Sequence, residues 1–282
     1  MRRLIIYTAS VVLAAGLVGS ASAQDVHWTG ANGNDAWNNS HNWDTAVPSP
    51  TTVNTWLQIP AAMPTATVMT IPIGTTQNVG TSYIGDGVHY GTIFGPEWGM
   101  TLNIHGNLNY DWMMYPVGSP ANPTTVNMDG NSSLSGVNLG IGNSWWFHGG
   151  PNVTMNVADN STVNIAWLFW GGHVNLSGGT FNINGGVNED VLDQVSDATR
   201  LMNITGGKLV LGFGDQTTLV NGWQSRGILQ AYGGAGSIVI DTFSMPGKTV
   251  VTALVPEPSS LALLGIAGVT LIAIRRRFVF AR

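Results

Sequence analysis

An apolar residue, then Asn, then another apolar residue recurs down this chain. It is seen at Leu102-Asn103-Ile104, Val126-Asn127-Met128, Met155-Asn156-Val157, Val174-Asn175-Leu176 and Met202-Asn203-Ile204. The central asparagines stand 24, 29, 19 and 28 positions apart. Such alternation has the two-residue period of a strand with one buried face. Each triplet is followed by a turn rich in Gly or Asn and then by a second alternating stretch. A period of roughly 20–30 residues describes one coil of a solenoid, whose inward side chains find a core only when coils stack. A polar residue returning to the same place in every coil can build a side-chain ladder. The expected fold is all-β, a right-handed parallel β-solenoid. The alternative is a β-sandwich whose turns favour Asn and Gly.

One stretch breaks the rule. In "VNEDVLDQVSDATR" the apolar residues Val187, Val191 and Val195 recur at helical spacing. That pattern predicts one or two surface helical turns, with Glu189, Asp190, Asp193 and Asp197 as a solvated acidic face. At the start of the mature chain, Trp28, Trp37 and Trp43 lie among Asn, Gly and Asp. Tryptophans carry enough apolar area to cover the open end of a stacked sheet, so residues 24–60 are expected to cap a body spanning 61–253. The opening "W-x-G … W … N-W … P" resembles that of bacterial extracellular β-helical proteins, including autotransporter-like passenger domains. This resemblance implies an exported β-rich body and no reaction.

Both termini read as processing segments. Residues 1–23 combine Arg2 and Arg3, an apolar run and the small-residue exit "ASA", the order of a secretory signal peptide cut between Ala23 and Gln24. At the other end, Pro256 and Pro258 exclude helix, residues 259–274 are apolar, and Arg275, Arg276 and Arg277 follow. The apolar segment would span about 24 Å as a helix, enough to engage a bilayer, with the arginines held on the cytoplasmic side. Without both ends, only Arg200, Lys208, Arg226 and Lys248 remain against fourteen carboxylates, a net charge of −10. A body of that sign repels phosphate backbones, so no nucleic-acid partner is expected.

Few reactive patterns are present. The chain has no cysteine, which excludes a thiol nucleophile and thiolate metal sites. The six histidines are scattered, no Gly-x-Ser-x-Gly elbow occurs, and the Gly-rich stretches lack the Lys-Ser/Thr of a phosphate cradle. No catalytic residue, metal or cofactor is expected. Aromatics remain as candidates: Trp145, Trp146, Trp167 and Trp170 occupy comparable places in successive units and could stack on sugar rings or fill the core.

The tail itself is the most specific feature. Val255, Pro256, Glu257 and Pro258, the apolar segment and the arginine cluster together resemble the PEP-CTERM sorting signal. That resemblance implies a transient partner, an exosortase-type transpeptidase that recognises the motif and removes the tail. It also implies a precursor held at the inner membrane by the C-terminal helix and a mature protein at the cell surface or outside the cell. Proteins with this signal occur in bacteria that make exopolysaccharide and biofilm, so an extracellular-matrix structural protein in contact with polysaccharide is expected. A carbohydrate-binding module is the alternative, and a divergent polysaccharide lyase or glycosidase is a third.

Overall fold

The computed structural model describes residues 24–29, 36–49, 52–56, 68–79, 92–97, 99–118, 121–142, 152–189 and 197–255. Two sheets share one stack of coils. The first has seven strands, all parallel: Val68–Ile71, Thr101–Ile104, Thr124–Met128, Val153–Val157, His173–Leu176, Leu201–Ile204 and Leu229–Ala231. Every predicted Asn triplet is one of these strands. Leu102, Val126, Met155, Val174 and Met202 stand in adjacent register, each at most 1% exposed, while the asparagines between them face outward. The body is thus a parallel β-solenoid, and the sandwich alternative is set aside. A sandwich would join its sheets through antiparallel hairpins, whereas here successive coils pair in parallel.

The second sheet has twelve strands. Its main path runs through Gln24–His27, Thr52–Trp56, Thr92–Glu97, Met113–Val117, Ser133–Ile141, Thr162–Trp170, Thr180–Asn188 and Lys208–Leu211, all paired in parallel. Strand Ser133–Ile141 belongs to two flat runs. Ser133–Ser135 pair with Asn107–Asn109, whereas Asn138 and Leu139 pair with Met113 and Met114 of a different strand. The bend lies at Gly136, and this position must be glycine. A Cβ there would sit 2.1 Å from the ring of buried Tyr110. In the next pairing the bend recurs as a register shift between Ile165 and Trp167.

The coils turn sharply where backbones nearly touch. Gly179 has φ +65°, and a Cβ on it would lie 2.1 Å from the carbonyl oxygen of Ser161 in the coil before. Only glycine permits both that dihedral and that approach. Three tryptophans pack together beside the first strands of the stack. Trp43 packs edge-on against Trp28 and Trp37, with centroids 5.1 and 5.0 Å apart, and the Trp37 amide donates to the Thr70 carbonyl at 2.8 Å. That bond engages the edge of the first strand of the seven-stranded sheet.

The far end departs from the sequence reading. Helix α1 (Thr217–Ser225) lies where only strands were expected, and the last two strands, Thr249–Leu254 and Ser237–Asp241, pair antiparallel. The helix was hidden because Thr217, Thr218, Val220 and Gly222 are poor helix formers. Tertiary contacts hold it: Val220 and Trp223 are buried, and Gly227 (φ +74°) ends it in the left-handed conformation. The helix expected around Val187–Val195 does not begin where predicted. Val187 lies in strand Thr180–Asn188, and a single 3-10 turn covers Asp197–Thr199. Residues 190–196 lie outside the described residues.

Candidate functional site

The outward face of the seven-stranded sheet carries the asparagine ladder. Asn127 Nδ2 donates to Asn103 Oδ1 at 2.9 Å, Asn156 to Asn127 at 2.8 Å, and Asn175 to Asn156 at 2.8 Å. Asn127 and Asn156 therefore each donate toward one coil and accept from the next, a dual role that suits the carboxamide. Asn203 continues the row and accepts from the Gly233 amide at 2.9 Å. On the other sheet two separate pairs form, Asn109 donating to Asn78 at 2.9 Å and Asn184 to Asn164 at 2.9 Å.

The four candidate stacking tryptophans do not share one role. Trp170 is fully buried, sits edge-on to Trp223 at 5.5 Å, and donates its indole N–H to the Gly172 carbonyl at 2.9 Å. It is core, and its assignment as a glycan contact is corrected. Trp167 is 45% exposed and lies over a glycine pair, since a Cβ on Gly186 would meet its ring at 2.5 Å. The difference comes from the bend. The alternation breaks at Ala166, where Ile165 and Leu168, three positions apart, are both buried, so Trp167 turns out while Leu168 and Trp170 turn in. Trp145 and Trp146 lie outside the described residues. Trp112, not singled out in the sequence, is 39% exposed on the turn after Tyr110.

Of the acidic group, Glu189 and Asp197 are bound by guanidinium rather than left to solvent. Arg200, 6% exposed, donates through Nε to the Trp170 carbonyl at 2.9 Å and through Nη1 to Glu189 Oε2 at 3.3 Å and Asp197 Oδ1 at 3.2 Å. Its Nη2 donates to the Glu189 backbone carbonyl. Arg226 also binds Glu189 and Asp197, and the Trp223 indole N–H donates to Glu189 Oε1. Two of the body's four basic residues thus tie α1 to the stack. Such a network is structural, because each carboxylate is already neutralised by guanidinium. Asp190 and Asp193 lie outside the described residues.

Other titratable groups are engaged locally. His105 Nδ1 meets Asp129 on the adjacent coil, and His27 pairs with Asp44 through both its amide and its ring at 2.8 Å. Burial pushes the Asp44 carboxyl up, but the His27 amide and ring outweigh this and hold it below the ordinary carboxylate value. Asp159 Oδ2 in turn accepts from the Gly130 amide at 2.9 Å. Among the described residues no group of three or more His, Asp or Glu is placed to hold a metal ion.

The chain leaves the body at one defined point. Strand Thr249–Leu254 ends with Leu254 opposite Ser237, and both Leu254 and Val255 are exposed. Pro256, Glu257, Pro258 and Arg275–Arg277 lie outside the described residues, as does Ala23; Gln24 opens the first described strand. Among the described residues no helix is long and apolar enough to cross a membrane, and the apolar segment 259–274 is not among them. Comparison with known proteins gives one family match: residues 254–277 match the PEP-CTERM protein-sorting motif. No curated protein and no solved structure matches the chain. The matched region begins at the last residue of the last strand, so folded body and sorting signal abut without a spacer.

Proposed function

We propose that this chain, an exported protein bearing a PEP-CTERM sorting signal for an exosortase, serves as a non-enzymatic structural component of the cell surface or extracellular matrix in contact with exopolysaccharide. The observation that carries the reading is the asparagine-laddered solenoid leading directly into the sorting signal. A ladder that spends its amides on neighbouring coils makes a stiff, polar rod, which suits a scaffold better than a reactive cleft. The carboxylates at Glu189 and Asp197 are consumed by Arg200 and Arg226, which argues against their use in sugar hydrolysis, where one acid must stay protonated and both must face the substrate.

Sorting is tested by mass spectrometry of the protein recovered from exporting cells. Processing leaves a product lacking the final arginines, and Pro256→Ala with Pro258→Ala leaves the tail attached. A wild-type product that keeps Arg275–Arg277 would remove the exosortase reading. A second reading, carbohydrate binding, rests on Trp167, whose half-exposed ring lies against Gly185 and Gly186, next in sequence to Asn184 of the Asn164–Asn184 pair. Aromatic faces with flanking amides suit sugar rings. Titrating the exported protein and its Trp167→Ala variant against exopolysaccharide separates the two. Binding lost in the variant favours a lectin-like surface, and no binding by either leaves the scaffold.

A further inference from the structure

The end of the stack from which the chain departs carries three features that the sorting signal does not use. Among the described residues the last strand of the twelve-stranded sheet, Ser237–Asp241, pairs on one side only, with Thr249–Leu254. Its sequence, Ser-Ile-Val-Ile-Asp, contains neither the proline nor the lysine with which edges are usually blunted. Ile238 and Ile240 pack against the core, so Val239 projects from the opposite face. Two residues beyond the strand, Phe243 is 92% exposed. It is held there because Asp241 Oδ1 accepts the Phe243 and Ser244 amides at 2.8 and 3.0 Å. Beside the start of the same strand is an open cavity of about 360 Å³ whose lining includes Leu229, Ala231, Gly234, Gly236, Ser237 and Ile238.

We propose that this end is a self-complementary surface through which two copies of the chain pair, strand Ser237–Asp241 against its twin in antiparallel register. A twofold axis through Val239 sets Ser237 opposite the partner's Asp241 and Ile238 opposite the partner's Ile240. No carboxylate then faces another, and both strands complete their ladders. The same register sets Asp241 opposite the partner's Ser237, so Phe243, in the turn that follows, comes to the end of the partner strand where Gly236 and Ser237 line the cavity. The knob and the hole occupy symmetry-related places on one surface, which an isologous interface requires. The exposed ring would be buried without any rearrangement of the coils. The two Thr249–Leu254 strands would then run in opposite directions, each chain leaving at its own end of the interface beside Ser237.

The absence of native cysteine makes the register directly testable. Facing Cα atoms in an antiparallel pair lie about 4.5–5.5 Å apart, inside the range a disulfide spans. Val239→Cys, on the axis, is expected to form a covalent dimer in the envelope fraction of exporting cells under mild oxidation. Asp241→Cys is expected to cross-link at least tenfold less, because four residues of strand, about 14 Å, would separate the two sulfurs. Phe243→Ala in the Val239→Cys background should lower the dimer yield several-fold without changing the circular dichroism of the body. Sedimentation of the full-length wild-type chain in detergent should show a reversible dimer that the Phe243→Ala variant weakens at least tenfold. A chain that stays monomeric, equal cross-linking at positions 239 and 241, or indifference to Phe243 would overturn the proposal. So would occupation of the cavity by the chain's own tail, seen as a cross-link within one chain from Gln230→Cys to Glu257→Cys.

Discussion

Arg200→Ala should be the most damaging single truncation at the C-terminal end of the solenoid. The side chain is 5% exposed and makes hydrogen bonds to the Trp170 carbonyl, the Glu189 carboxylate and backbone carbonyl, and Asp197. Removing it leaves Glu189, itself 15% exposed, with Arg226 as its remaining cation, and leaves a buried carbonyl unbonded. Breaking a buried ion pair from one side costs about 3–5 kcal/mol. A domain of this kind is stabilised by only about 5–15 kcal/mol in total. Arg226 touches the same carboxylates but is 38% exposed, so solvent screens it and Arg226→Ala should cost no more than about 1 kcal/mol. Urea titration followed by tryptophan fluorescence reads the difference, because Trp170 and Trp223 pack edge-on beside the network. Arg200→Met combined with Glu189→Gln should recover at least half of the loss, since a buried pair removed as a unit is close to neutral. If Arg200→Ala costs less than about 1 kcal/mol, or no more than Arg226→Ala, the network does not secure the helix and the argument fails.

In the middle of the ladder, Asn156→Ala removes one donated and one accepted hydrogen bond, which should lower stability by about 1–3 kcal/mol in the same titration. Asn156→Asp should cost at least as much, because the carboxylate accepts from Asn175 but cannot donate to Asn127. Gly136→Ala drives a methyl into the Tyr110 ring and should cost about 1–3 kcal/mol, with Tyr110 reporting the strain by near-ultraviolet circular dichroism. The Asp241 carboxyl is held below its ordinary value by the Ser244 side chain and by the Ser244 and Phe243 amides. Its contribution to the turn is present at neutral pH and lost as pH falls through that depressed value. The Phe243 and Ser244 amide resonances should therefore titrate with a midpoint under the usual aspartate value of about 3.9. A midpoint at or above it would count against these hydrogen bonds.

Much of the solenoid was legible because its signal is local. Leu102, Asn103 and Ile104 state their own orientation, and recurrence of the triplet states that coils stack. The Trp28, Trp37 and Trp43 cap could be read because large aromatics among turn residues at a chain start have few other uses. Trp167 and Trp170 could not be separated in the same way. Strict alternation would place residues 165, 167 and 169 on one face, and a bend at Ala166 within the strand shifts that phase, which the pattern of residue types does not reveal. Glu189 looked solvated because its partners, Arg200 and Arg226, lie 11 and 37 positions away.

The sequence by itself determined the period, the inward apolar rows, the outward asparagines and the sorting signal, since each is written in neighbouring residues or at one repeated spacing. Tertiary structure alone decided which tryptophan is core, which arginine is buried, and that the last coil closes with a helix and an antiparallel pair. Those outcomes depend on inter-coil register and on charges brought together from distant positions, and short-range propensity carries no record of either.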